Sequence, residues 1–134
     1  MLVCGKNKMV EGSHFSFENL QVYQKSLDFV DLVYEVTKEF PKAELYNLTS
    51  QFKRAAVSIA LNLAEGAGDS NAQFIRFLQI SLDSVKECVV CSTIAKRQNY
   101  ITSEKDKEIR SKLAELSKMI SSLKKYLKGN NSAK

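Results

Sequence analysis

The stretch that decides the fold lies near the middle of the chain and reads Arg54-Ala-Ala-Val-Ser-Ile-Ala-Leu-Asn-Leu-Ala-Glu-Gly66-Ala-Gly68. Its apolar residues recur at three- and four-residue steps, which predicts an α-helix. One apolar stripe, continued upstream, consists of Leu48, Phe52, Ala55, Ala56, Ile59 and Leu63. A second stripe on the opposite side consists of Val57, Ala60, Leu61 and Ala64. Because the core of a small bundle covers only one face of a helix, we expect the second stripe to contact another subunit.

Polar side chains separate the two apolar stripes. Together with two residues of the following helical segment, they form a predicted structural polar seam of Arg54, Ser58, Asn62, Glu65, Arg76 and Glu87. We expect the two glutamates to pair with Arg54 or Arg76, because removing one partner of a buried ion pair is strongly destabilising. The alternative is an enzyme in which the two glutamates act as general acid and base, and this requires a shared open pocket.

Apolar periodicity outside this stretch predicts three further helices. The predicted helices cover residues 19–40, 47–66, 71–98 and 103–128. Pro41 is expected to stop the first helix, glycines to end the second, and Ser70 and Ser103 to cap the third and fourth. No strand pattern is present, and the connections are short. The sequence therefore predicts one all-α domain, an antiparallel up-down-up-down four-helix bundle over residues 19–128.

The two ends of the chain lack this periodicity. Residues 1–18 are expected to form a flexible N-terminal tail, and residues 129–134 a frayed C-terminal tail. No apolar run approaches the ~20 residues that a membrane span needs. We therefore expect a cytoplasmic protein with no membrane partner.

The sequence offers little chemistry. Cys88-Val-Val-Cys91 has a spacing that binds zinc or supports redox chemistry, but the other ligands available are Cys4 and the single His14, both near the N-terminus. We expect the pair to be two small buried side chains. Nucleophilic catalysis needs a base beside the nucleophile, and inward Glu-x-x-His pairs for a di-metal site are missing from the sequence. We therefore predict no catalytic residue, no metal, no cofactor and no enzymatic activity.

Charge is the best indication of a binding partner. The net charge is +5, and residues 104–134 carry 9 basic and 4 acidic side chains, which accounts for the whole excess. The predicted nucleic-acid-binding residues lie on the fourth helix and are Lys107, Arg110, Lys118, Lys124, Lys125 and Lys128. Such a stripe can follow phosphates, while the alternative is a solvated face that keeps the protein soluble.

Four segments resemble a known family. They are Phe17-Glu-Asn-Leu-Gln-Val-Tyr-Gln-Lys-Ser, Leu48-Thr-Ser-Gln-Phe-Lys-Arg-Ala-Ala-Val-Ser-Ile, Asn62-Leu-Ala-Glu-Gly66 and Phe74-Ile-Arg-Phe-Leu. In order, they resemble the four-helix-bundle proteins encoded in intervening sequences of bacterial 23S ribosomal RNA genes, over residues 15–127. One departure is Ala60, where relatives commonly have proline. A second is the run Val85-Lys-Glu-Cys-Val-Val-Cys, which is less acidic and less leucine-rich than in the ribosomal members.

The resemblance implies a bundle that assembles into a ring, a pentamer, with no known enzymatic activity. Similar bundles are accessory subunits of diversity-generating retroelements, in which a basic pentamer engages a reverse transcriptase and RNA. From the residues and the resemblance together, we expect a homo-oligomeric scaffold that binds structured RNA. The alternative is a protein–protein adaptor without nucleic-acid binding.

Overall fold

Four α-helices make up most of the chain. The computed structural model describes residues 15–132. Its helices are α1 (Gln21–Thr37), α2 (Leu48–Gly66), α3 (Asn71–Arg97) and α4 (Ser103–Ser132). Two short 3-10 turns, Ser16–Asn19 and Lys42–Glu44, precede α1 and α2. The described part of the chain contains no strand, so the predicted all-α class is confirmed.

The helices run antiparallel to their neighbours in sequence. Between α2 and α3, Ser84 Oγ lies 2.9 Å from Ser58 Oγ, and Ser81 Oγ donates to the Ile59 carbonyl over 3.1 Å. Along this interface the residue numbers of one helix rise as those of the other fall. The same holds between α3 and α4, where Ser92 contacts Asp106 and Gln79 contacts Lys124.

The fourth side of the bundle is closed by α1 and α4. Lys25 Nζ lies 3.2 Å from Glu115 Oε2 across this contact. Each helix therefore packs against two others, while α1 and α3 lie diagonally opposite. This arrangement confirms the predicted four-helix bundle.

The core is built from one face of each helix. On α4, the seven-residue apolar pattern is buried over its whole length, namely Ile109, Leu113, Leu116, Ile120, Leu123 and Leu127. On α2, the first apolar stripe faces the same core. The predicted core faces of these two helices are therefore the ones that the fold uses.

Tertiary contacts change the limits of α1. The helix ends at Thr37 instead of residue 40, because Phe40 turns inward and its ring lies 5.5 Å from that of Tyr100 and 6.5 Å from that of Phe52. At the other end, the predicted tail contains the Ser16–Asn19 turn, and Phe17 packs edge-on against Tyr23 at 5.1 Å. Residues 1–14 of that predicted tail lie outside the described residues.

The caps of α3 and α4 follow the expected chemistry, with one shift of position. Ser70 Oγ accepts a 3.2 Å hydrogen bond from the Gln73 N–H at the start of α3. At the start of α4 the acceptor is Thr102 Oγ1, 3.0 Å from the Lys105 nitrogen, and Ser103 is already helical. The prediction of Ser103 as the cap was therefore wrong by one residue.

The last residues of α4 also differ from expectation. The helix continues to Ser132, so the frayed tail predicted at 129–134 overlaps it. A single glycine costs a helix only about 1 kcal/mol, and Gly129 has no proline after it to stop the backbone hydrogen bonds.

Gly66 and Gly68 have different roles at the α2–α3 connection. Gly68 has φ +88°, the left-handed conformation expected after a helix end. Gly66 is the last residue of α2, and a Cβ there would lie 2.8 Å from Phe74 Cδ1. Only a glycine lets the two helices approach this closely without a shift.

Candidate nucleic-acid interface

Four of the predicted basic residues are exposed on α4. Lys107, Lys118 and Lys125 lie on one line facing away from the core, because separations of 11 and 7 residues are close to whole turns of a helix. Lys128 is exposed at the edge of this line. Among residues 15–132, none of these four side chains has a hydrogen-bonding or ionic partner. We call these four residues the lysine surface.

The other two basic residues have partners on α3, and Arg110 has one on α4 as well. Arg110 Nε donates a 3.0 Å hydrogen bond to Asp106 Oδ2, and its Nη2 donates to Thr93 Oγ1. Lys124 Nζ donates to Gln79 Oε1. These two cations lie beside the lysine surface, but their side chains are already engaged within the chain.

Few carboxylates oppose the positive charge of the lysine surface. After Glu115 the sequence contains no acidic residue, and Glu115 itself pairs with Lys25 of α1. Residues 116–128 therefore present positive charge alone on the outside of α4. A surface with positive charge alone attracts polyanions.

Asp106 is a structural residue that the sequence analysis did not single out. It is 4% exposed, and its Oδ1 accepts a 2.7 Å hydrogen bond from Ser92 Oγ. Burial raises the pKa of this carboxyl, but hydrogen bonds from Ser92 and Arg110 and the charges of Arg110 and Lys96 outweigh burial, so the pKa is lowered. The available signal was its position three residues before Ile109, at the edge of the core stripe.

The predicted polar seam is only partly brought together. Asn62 Nδ2 donates to the Ser58 carbonyl over 2.8 Å and to Ser58 Oγ over 3.0 Å, and Ser84 joins them from α3. Farther along, Gln51 Nε2 donates to Glu87 Oε2 over 3.2 Å. Two of these contacts link α2 to α3. Ser84 to Ser58 is a hydrogen bond between neutral groups, and Gln51 to Glu87 is one to a charged group.

The expected ion pairs of this seam are not formed. Arg54, Glu65, Arg76 and Glu87 are exposed, and none of the four pairs with an opposite charge within residues 15–132. Exposed charged groups remain well solvated, so an ion pair between them would add little to the stability of the fold. Glu65 also lies about 21 Å along α2 from Gln51, the partner of Glu87. This separation does not suit an acid and base acting on one bond.

The second apolar stripe of α2 is divided by the fold. Leu61 is 62% exposed, whereas Val57 and Ala64 are half-buried. Ala60, which was expected at a subunit interface, is 6% exposed and so is covered by its own chain. Tyr34 of α1 extends the exposed part, with Lys53 Nζ 4.6 Å from its ring centre.

The cysteines of α3 are packing residues. Cys88 and Cys91 are both buried. Burial raises the pKa of both thiols, helped by the negative charge of Glu87, and brings that of Cys91 to about 11. Such thiols are poor nucleophiles at neutral pH. Cys4 and His14 lie outside the described residues.

The described part of the chain offers neither a metal-binding cluster nor a membrane-spanning helix. No three His, Cys, Asp or Glu side chains in it lie close enough together to hold a metal ion. None of its helices combines the length and the apolar character that crossing a membrane needs.

These features define a small all-α bundle with a basic surface on its last helix, whose four lysines have no partner among the described residues. The chain belongs to the 23S rRNA-intervening sequence protein family, whose model matches residues 18–122. This confirms the resemblance seen in the sequence. The chain is also similar to a solved structure from Bacteroides thetaiotaomicron VPI-5482, described as a protein with unknown function from the S23 ribosomal protein family. Identity is 28%, the match covers 74% of this chain and 94% of the other, and the TM-score is 0.68. Comparison with curated proteins gave no match.

Proposed function

We propose that this protein is a non-enzymatic, homo-oligomeric scaffold that binds structured RNA through the lysine surface of α4. The observation that supports this most directly is that Lys107, Lys118, Lys125 and Lys128 are exposed and have no partner within residues 15–132, on the helix of the segment that carries the excess positive charge. The family name, which refers to an intervening sequence of ribosomal RNA, fits the same partner class.

The spacing of the lysine surface suits a phosphate backbone better than bases. From Lys107 to Lys128 it extends about 31 Å along the helix. Tyr126 is the aromatic residue of α4, and it is half-buried against the core, so the lysine surface has no fully exposed ring beside it on α4 to stack on a base. Recognition is therefore electrostatic and follows the shape of the RNA.

Assembly strengthens such a weak contact. The exposed part of α2, centred on Leu61, is the surface through which copies associate, and the resemblance favours a pentamer. Several lysine surfaces in one assembly bind one RNA with avidity. Light scattering at micromolar concentration tests this, because a stable monomer contradicts the oligomer.

The RNA contact is tested by charge reversal. In the variant K118E/K125E/K128E, affinity for a structured RNA should fall, and the negative slope of log affinity against log salt should become smaller in magnitude by about 2 to 3. The matched control is K42E/R76E/R97E, which makes the same charge change at exposed positions outside α4 that form no ion pair within residues 15–132. Equal RNA binding by the wild type and the α4 variant contradicts the proposal.

The biological setting that we propose is an accessory subunit of a reverse transcriptase in a diversity-generating retroelement. The second candidate is a protein–protein adaptor, which the exposed apolar residues Leu61 and Tyr34 favour. Purification separates the two. Co-purified nucleic acid, seen as a high 260/280 absorbance ratio that salt removes, supports the RNA scaffold, and retention of a protein partner alone supports the adaptor.

A further inference from the structure

A groove lies between the first half of α2 and the second half of α3. Its volume is about 560 Å³. Leu48 and Cys91 lie at its base, and the side chains of Val90 and Ile94 are 56% and 40% exposed along its wall. The charged residues lining it are Glu44, Lys86 and Glu87, so carboxylates are in excess. We call this the acidic groove.

A second exposed surface has the opposite charge. It lies between α1 and α2 and is lined by Tyr34, Lys53, Arg54, Val57, Ser58 and Leu61. The two charged residues that line it, Lys53 and Arg54, are both cations. Carboxylates lie just outside it, with Asp31 and Glu35 beside Tyr34, and Glu65 one turn beyond Leu61. We call this the Leu61 surface.

These two surfaces are complementary in both apolar character and charge. Leu61 is the most exposed large aliphatic side chain of the described helices, and the acidic groove is an apolar recess lined by two carboxylates, Glu44 and Glu87, and one cation, Lys86. We propose that the acidic groove of one copy receives the Leu61 surface of a second copy, with Arg54 of one facing Glu87 of the other. This inference rests on the proposed homo-oligomeric function and names the surfaces that meet.

The pairing gives Arg54 and Glu87 a role. Both were predicted to form ion pairs, yet within the described chain neither has a partner of opposite charge, and both are exposed. A contact between two different surfaces leaves one groove and one Leu61 surface free at the ends of a dimer. Further copies then add in the same way, and growth stops where the rotation between copies closes a ring.

A mixing experiment tests this pairing. L61E removes the Leu61 surface, and V90E places a third carboxylate in the acidic groove. Each variant should be monomeric by light scattering. An equimolar mixture should form a 1:1 dimer and nothing larger, because it retains one intact groove and one intact Leu61 surface. I80E is the matched control, since Ile80 is 43% exposed on α3 but outside the groove, and it should assemble as the wild type does.

The outcomes separate this inference from the proposed function. If the wild type assembles and the mixture stays monomeric while both variants are folded by circular dichroism, the pairing of these surfaces is overturned and the oligomer stands. If the wild type is monomeric, the homo-oligomeric function itself fails.

A charge exchange provides a second test. R54E and E87R should each weaken assembly by about tenfold, because like charges then face each other across the contact. The variant R54E/E87R should recover assembly close to that of the wild type, since each contact again pairs opposite charges. If the double variant assembles no more strongly than the two single variants, the Arg54–Glu87 contact is overturned.

Discussion

Asp106 at the start of α4 accepts a 2.7 Å hydrogen bond from Ser92 of α3 through Oδ1, and a 3.0 Å bond from Arg110 through Oδ2. The buried carboxylate thus connects two helices and fixes a cation beside the lysine surface. Hydrogen bonds and nearby positive charge outweigh the effect of burial and lower its pKa. The ionised form is therefore the one that the folded state prefers.

We predict that D106N destabilises the protein at neutral pH by about 1 to 3 kcal/mol, because an amide cannot replace both charged hydrogen bonds. The folded-state pKa lies below the unfolded one, so this contribution is complete above about pH 4 and is lost as pH falls through the folded pKa. Urea denaturation at pH 7 and pH 3 measures the difference between wild type and variant, which should shrink at pH 3. The control E104Q, an exposed acid of the same turn, should change stability little, and an equal effect of both variants contradicts this role.

Gly66 gives a prediction about packing. In G66A the new Cβ would lie 2.8 Å from Phe74 Cδ1 and 2.9 Å from Phe77 Cβ. Overpacking costs about 1 to 3 kcal/mol, and with two contacts below 3.0 Å we expect the upper part of this range, which exceeds the gain of about 1 kcal/mol in helix propensity. Thermal unfolding should show a lower Tm. In G129A, where nothing lies within 4 Å of the new Cβ, stability should be equal or slightly higher. A G66A variant as stable as G129A shows that the helices can separate freely.

The thiols of α3 give a prediction about reactivity. Because the pKa of Cys91 is raised to about 11 and that of Cys88 is raised further, both thiols remain protonated at pH 8. In a C4S background, a thiol reagent should react about 100-fold more slowly with the native protein than with the denatured chain. Native reaction within tenfold of the denatured rate would show that the cysteines are accessible.

The same thiols predict an alkaline effect on stability. Their folded-state pKa values lie above the ordinary value, so the folded state holds protons that the unfolded chain releases. Stability should therefore fall as pH rises from about 9 towards 11. A C88A/C91A variant should lose part of this pH dependence in urea titrations. If the free energy of unfolding falls with pH as steeply in this variant as in the wild type, other groups cause the alkaline effect.

The sequence was sufficient to predict the bundle because its core positions repeat locally. The buried residues from Ile109 to Leu127 follow a seven-residue pattern. This pattern is visible in the sequence without any knowledge of tertiary contacts. The end of α1 was not predictable in this way. Phe40 leaves the helix because its ring contacts Phe52 and Tyr100, and those partners are distant in sequence.

In the candidate site, the sequence predicts only what depends on the spacing of residues along one helix. Helical spacing placed Lys107, Lys118 and Lys125 on one exposed line, as the structure has them. Spacing did not indicate that Arg110 and Lys124 bond to α3, because those contacts depend on how the two helices are aligned. The same alignment leaves Arg54 and Glu87 without an ion-pair partner within residues 15–132, although both lie along the α2–α3 contact.

The close contact between α2 and α3, held by Gly66 against Phe74 and by Ser58 against Ser84, also bears on how the chain folds. Only residues 67–70 connect the two helices, so bringing them together costs little loop-closure entropy. We expect this helical hairpin to form in the folding transition state, before α1 and α4 dock on it. Substitutions such as G66A should then slow folding more than they speed unfolding, whereas truncating Leu127 on α4 should mainly speed unfolding.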